Sequence, residues 1–163
     1  MTAAPRPDSE VRIRPATTAD ATWLVDSMAA LFAEDAGTRD STMDVDYPRS
    51  YGEQGFTELM ARPDRLVLVA EADGTIVGHL TGRIDEPTPI RLVSVATLAS
   101  MYVRPAHRRQ GVGARLVEQF REWARDQNVG RMSVTAYPAN DGAIRFYRRQ
   151  GFVPYTTALE TEP

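Results

Sequence analysis

HRRQGVGARL, residues 107–116, sets a basic cluster against two glycines one residue apart, where apolar positions begin to recur at helical spacing. Glycine is a poor helix former, so a pair of them at a helix start needs a reason. A tight joint between strand and helix is one. The other is an anion held against the backbone, because the first amides of a helix lack intrahelical acceptors and carry the positive end of its dipole. Glycines allow close approach and the arginines add charge, so residues 108–114 read as a pyrophosphate-sized cradle. Taken alone, the stretch supports both readings.

Known nucleotide fingerprints do not fit it. GxGxxG requires glycine at Leu116, and the phosphate-loop pattern requires a Gly-Lys pair. All 19 basic residues are arginine, so there is no lysine anywhere. That also excludes Schiff-base chemistry. The chain has no cysteine, which removes disulfides, thiolate nucleophiles and cysteine-bound zinc. With two histidines, His79 and His107, a histidine-rich metal site is not expected.

At 163 residues the chain suits one domain with a proper core. No apolar run reaches membrane-spanning length, and MTAAPRPDSE lacks a signal-peptide core, so the expected address is cytoplasmic, away from membranes. Nine arginines face 16 acids up to residue 100, and ten face six thereafter. Nucleic-acid binders are basic overall, which this chain is not, so the basic half points to a local anionic ligand.

Residues 1–10 read as a flexible tail and 11–163 as one domain. VRIRPA (11–16) alternates like a half-buried strand. A helix follows, with Thr17 or Thr18 as cap and Leu24, Met28, Leu31 and Phe32 on one stripe. Residues 33–50 read as a loop and SYGEQGFTELMAR (50–62) as a weaker helix. RLVLVAEA and TIVGHLTGRI around Asp73-Gly74 give a hairpin signal. IRLVSVATLASMYV (90–103) is a long strand, bent near Ala96. Residues 114–127 carry a helical stripe of Leu116, Val117, Phe120, Trp123 and Ala124. RMSVTAY (131–137) is a strand, DGAIRFYRRQ (141–150) a helix stopped by Gly151, and FVPYTTAL (152–159) a last strand. The order predicts a single α/β domain with a mixed sheet, mostly antiparallel, flanked by about four helices.

VRPAHRRQGVGARL resembles the R/Q-x-x-G-x-G/A acyl-CoA motif of the GNAT superfamily of N-acetyltransferases, with Arg108, Gly111 and Gly113 in the marked places. NDGAIRFYRRQGF (140–152) is similar to that family's N-x-x-A-x-x-x-Y-x-x-x-G-F segment at every marked position. The interval leaves room for one helix and one strand. The resemblance implies a sheet with a splayed parallel pair and acetyl-CoA as co-substrate, with no metal. It assigns Arg109, Gln110, Gly111, Val112, Gly113 and Ala114 to the pyrophosphate, and Met101, Tyr102 and Val103 to the pantetheine arm as an added strand. Asn140 would bind pantetheine or cap the last helix, beside Ala143. Tyr147 would be the general acid for the departing thiolate. Without that family motif, Tyr147 reads as a half-buried aromatic sharing a helix face with Ala143 and Phe146.

A primary amine must lose a proton before attack, and relatives place a glutamate where this chain has Thr97. His79, Asp85, Glu86 or a water chain remain candidates for the base. The loop carrying Glu34, Asp35, Asp40, Asp44 and Asp46 is an acidic rim that would attract a cationic amine, or a solvated loop. Acetylation of a small-molecule amine through a ternary complex is the expected activity. A peptide or protein amine as acceptor and a CoA-binding module without catalysis are the alternatives. A homodimer is common among similar enzymes, though no stretch demands one.

Overall fold

The computed structural model describes residues 10–163, so the expected tail lies almost wholly outside the described residues. Five strands form one sheet in the order β1-β2-β3-β4-β5: Arg12–Pro15, Arg65–Ala72, Thr75–Asp85, Val95–Val103 and Arg131–Val134. The first three junctions are antiparallel and β4 runs parallel to β5. The helices are α1 (Ala21–Glu34), α2 (Ala36–Arg39), α3 (Tyr47–Met60), α4 (Val112–Asp126) and α5 (Asp141–Arg149).

The hairpin between β2 and β3 turns at Asp73 (φ 50°) and Gly74 (φ 74°), the two left-handed positions that a tight primed turn requires. Residues alternate to opposite faces along a strand, so the sheet buries two cores. On one face α4 sets Leu116, Val117 and Phe120 against Leu68, Leu80 and Leu98. On the other α1 and α3 set Leu24 and Phe56 against Val67, Val69 and Ile76. A β-carbon on Gly82 would lie 2.8 Å from Phe120, so that glycine is what lets α4 sit close to the sheet.

Three expectations need correction. Residues 152–163 form no strand, and Val153, Tyr155 and Leu159 are exposed. Pro154 cannot donate to a ladder, and the segment pairs with no strand of the sheet. The loop expected over 33–50 contains α2 and the start of α3, which opens with Pro48 in its first turn. The strand expected over 90–103 begins at Val95, and its irregularity lies at Ala99, not Ala96. Ser100 pairs with Thr81 and Leu98 with Gly82, which leaves Ala99 as the extra residue of a bulge.

Candidate functional site

The sheet opens beyond that bulge. β5 pairs with β4 only over Val95–Leu98, so from Ala99 to Val103 strand β4 has β3 as its single neighbour. Met101, Tyr102 and Val103 therefore have no strand on that side, and Val103 O is taken by the Arg108 side chain. A 3₁₀ turn at Pro105–His107 redirects the chain into the stretch 108–111 and then α4. Arg109 (φ 60°) and Gly111 (φ 80°) both take left-handed backbone. Arginine adopts that conformation at a cost, whereas glycine does not. No side chain caps α4, and the amides from Arg109 to Ala114 find no backbone carbonyl acceptor among the described residues. These six amides lie in the stretch that follows the open end of β4.

The two glycines of the turn do different work. A β-carbon at Gly111 would meet nothing within 4 Å, so conformation decides that residue. One at Gly113 would lie 3.2 Å from the Phe146 ring, so packing of α4 against α5 decides the other. Val112 is buried in the α4 core while Gln110 is exposed and holds Ala106 O through Nε2 at 3.1 Å. Arg108 is tied sideways. It reaches Glu34 on α1 at 2.7 Å, donates Nε–H to Val103 O at 2.7 Å, and lies over the Tyr102 ring. His107 has a buried Nδ1 without a hydrogen-bond partner among the described residues.

Asn140 caps α5, its side-chain oxygen accepting from Ala143 N at 3.1 Å. Its amide group donates to Asp35 Oδ1 at 3.0 Å, which fastens α5 to the end of α1. Gly151 (φ 90°) ends α5 as expected. Tyr147 is set edge-on between Phe146 and Phe152. Burial, with a smaller contribution from the Asp35 charge, pushes its phenol up to about 12. It stays protonated at neutral pH and able to give a proton away.

On the α1/α3 side of the sheet, a cavity of about 260 Å³ lies between α1, α3 and the bulge. Ser100 at its floor bonds Thr81 Oγ1 at 2.7 Å and His79 Nε2 at 3.2 Å. The other ring nitrogen of His79 bonds Ser27 Oγ on α1 at 2.6 Å. His79 is fully buried, and desolvation lowers its pKa to about 4, so it is neutral. A neutral imidazole accepts at one nitrogen and donates at the other, so Ser100, His79 and Ser27 form a continuous hydrogen-bonded line from the cavity floor to α1.

Asp85 and Glu86 lie elsewhere. Asp85 is four residues from Thr81 along β3, where burial is outweighed by hydrogen bonds from Thr97 and Arg83 that hold its carboxyl below the usual range. Glu86 borders a separate hollow with Pro63, Ser94 and Gln127. In the acidic segment Asp35 pairs with Arg39, Asp40 binds Thr42 and Asp44 binds the amide of Asp46. None of these acids lines the cavity. No group of three potential metal-binding side chains occurs among the described residues.

Sequence reasoning missed Ser27, Ser100 and Tyr51. The one signal available was the pair of small residues Ala99-Ser100 inside a strand, where a bulge is easily accommodated.

A model described as the acetyltransferase (GNAT) family matches residues 26–152. Over 97 residues the chain is 30% identical to an uncharacterized N-acetyltransferase of Methanocaldococcus jannaschii, across 60% of this chain but 43% of that one. It is 31% identical over 98 residues to an aminoglycoside N(6')-acetyltransferase type 1 of Serratia marcescens, across 58% of this chain and 67% of that one. A mutant protein of Bacillus halodurans, 17% identical, superimposes with a TM-score of 0.83 over 93% of this chain and 99% of its own.

Proposed function

Because the chain belongs to the acetyltransferase (GNAT) family, we propose that it transfers an acetyl group from acetyl-CoA to the primary amine of a small molecule, in a ternary complex. The observation that carries this reading is the run of six acceptorless amides, Arg109 to Ala114, that follows the open end of β4. Such amides at a helix start suit a pyrophosphate. A strand edge of three residues, Met101 to Val103, suits the amides of a pantetheine arm. Arg108 contributes by fixing the end of β4 to α1 through Glu34 rather than by reaching for phosphate, and Asn140 by fixing α5.

The amine nitrogen attacks the thioester carbonyl, a C–N bond forms, and the C–S bond breaks. Tyr147 gives its phenolic proton to the departing thiolate. The proton lost by the ammonium passes to Ser100 Oγ, whose own proton moves to His79 Nε2, from His79 Nδ1 to Ser27 Oγ, and from the part-exposed Ser27 to solvent. The second proton that nitrogen sheds as the amide forms restores the Tyr147 phenol. In this reading His79 is a relay held by hydroxyls on both sides, not a free base, and it offers a route for the proton where Thr97 supplies no carboxylate.

The test is acetyl-CoA-dependent thiol release with a panel of amines. Tyr147→Phe is expected to lower kcat about a hundredfold or more at neutral pH, the usual worth of a positioned acid. Full activity of that variant would remove Tyr147 from the mechanism. Binding of acetyl-CoA with no thiol release on any amine would favour a non-catalytic module.

A further inference from the structure

The chemistry of the cavity wall narrows what occupies it. Met28, Phe32, Tyr51, Phe56 and Leu59 form its sides, and the polar groups of the floor are the Thr81 and Ser100 hydroxyls. No carboxylate or arginine belongs to the lining. Four rings run in contact along one side: Phe32 to Tyr47 at 6.3 Å, Tyr47 to Tyr51 at 5.8 Å and Tyr51 to Phe56 at 5.2 Å between centroids.

Two glycines build that wall. Gly52 (φ 64°, ψ −173°) breaks α3 in its middle, in a conformation that a side chain would strain. A β-carbon at Gly55 would lie 2.7 Å from three atoms of the Tyr51 ring. A helix that holds two glycines in four residues loses helical stability. What it gains is a tyrosine ring folded back against its own axis and turned to the cavity.

A polyol bearing several ammonium groups would lose water here and meet no compensating charge. At about 260 Å³ the space also falls below the roughly 300 to 1,000 Å³ of pockets for drug-sized ligands. An ammonium on a single ring suits it better, since aromatic faces hold both a ring and a cation. We propose that this cavity selects a primary amine whose body is one aromatic or similarly compact apolar group, its nitrogen directed to Ser100, over polycationic amines. This rests on the acetyltransferase reading above.

The experiment compares thiol release by the wild-type chain with acetyl-CoA and either 2-phenylethylamine, spermidine or kanamycin. The expected kcat/KM for 2-phenylethylamine is at least tenfold above both others. Equal or better turnover of kanamycin or spermidine would overturn the selectivity and leave the acetyltransferase reading standing. Tyr47→Ala, at a half-exposed ring of the wall, is expected to raise the KM for 2-phenylethylamine several-fold. Its KM for acetyl-CoA and its melting temperature should stay unchanged. An unmoved amine KM would overturn the aromatic wall. If no amine releases thiol, calorimetric titration with acetyl-CoA separates the failures. Binding without turnover of any amine overturns both this inference and the transferase reading and leaves a CoA-binding module, and no binding removes the CoA site as well.

Discussion

The proposed donor side and the proposed acceptor side of this molecule are built in opposite ways. The proposed donor side, residues 101–114 with 140–152, is two short continuous stretches whose backbone would do most of the work. The acceptor side gathers Ser27, Phe32, Tyr51, His79 and Ser100 from two helices and two strands. Backbone function tolerates few residue types at a few fixed spacings, so it leaves a motif. A side-chain cavity is satisfied by many residues from many places, so it leaves none.

That contrast can be broken or sharpened by substitution. The largest effect belongs to His79, through pH. Its folded-state pKa of about 4 lies below the ordinary 6.5, so between those values the unfolded chain binds more protons. Stability therefore rises with pH through that window and is lost as pH falls from about 6.5 toward 4, on the order of 3 kcal/mol in full. Melting curves at pH 7 and pH 5 should show a drop in the wild type that His79→Gln reduces. Equal drops would mean that His79 is not the buried neutral group described here.

Next comes Gly111→Val, which places a β-branched residue at φ 80° without any clash. A cost of about 1 to 2 kcal/mol in that backbone region should appear as a roughly tenfold or greater rise in the KM for acetyl-CoA. The KM for the amine should not move. A change in both would blur the two-sided division.

Asn140→Ala removes the cap of α5 and its tie to Asp35 together. Loss of a cap is worth about 1 kcal/mol, or roughly 2 to 4 °C in melting temperature for a chain of this size. The smallest effect is Gly55→Ala, which pushes on the Tyr51 ring and should raise the amine KM a few-fold while leaving acetyl-CoA untouched. Steady-state kinetics with each substrate varied in turn would show it.

Much of the fold was legible beforehand. The Asp73-Gly74 hairpin, the α4 stripe and the α5 segment all stand where local pattern puts them, because turn chemistry and helical periodicity are short-range. The last strand failed for a long-range reason. FVPYTTAL has strand-like residues, yet a strand exists only beside an edge that receives it. Tyr147 and Asn140 were legible by motif. Asp35 was legible as an acid but not as the partner of Asn140, 105 residues away.

The sequence by itself determined the element order, the paired motifs and the glycine turn whose left-handed backbone only glycine accepts without cost. Tertiary structure alone decided that Gly113 serves packing against Phe146, and that Arg108 is drawn to Glu34. It also decided that His79 is held neutral between two hydroxyls, and that the cavity beside the bulge is aromatic rather than acidic. The physical reason is range. Backbone conformation is set by neighbours in the chain, whereas burial, desolvation and pairing are set by neighbours in space.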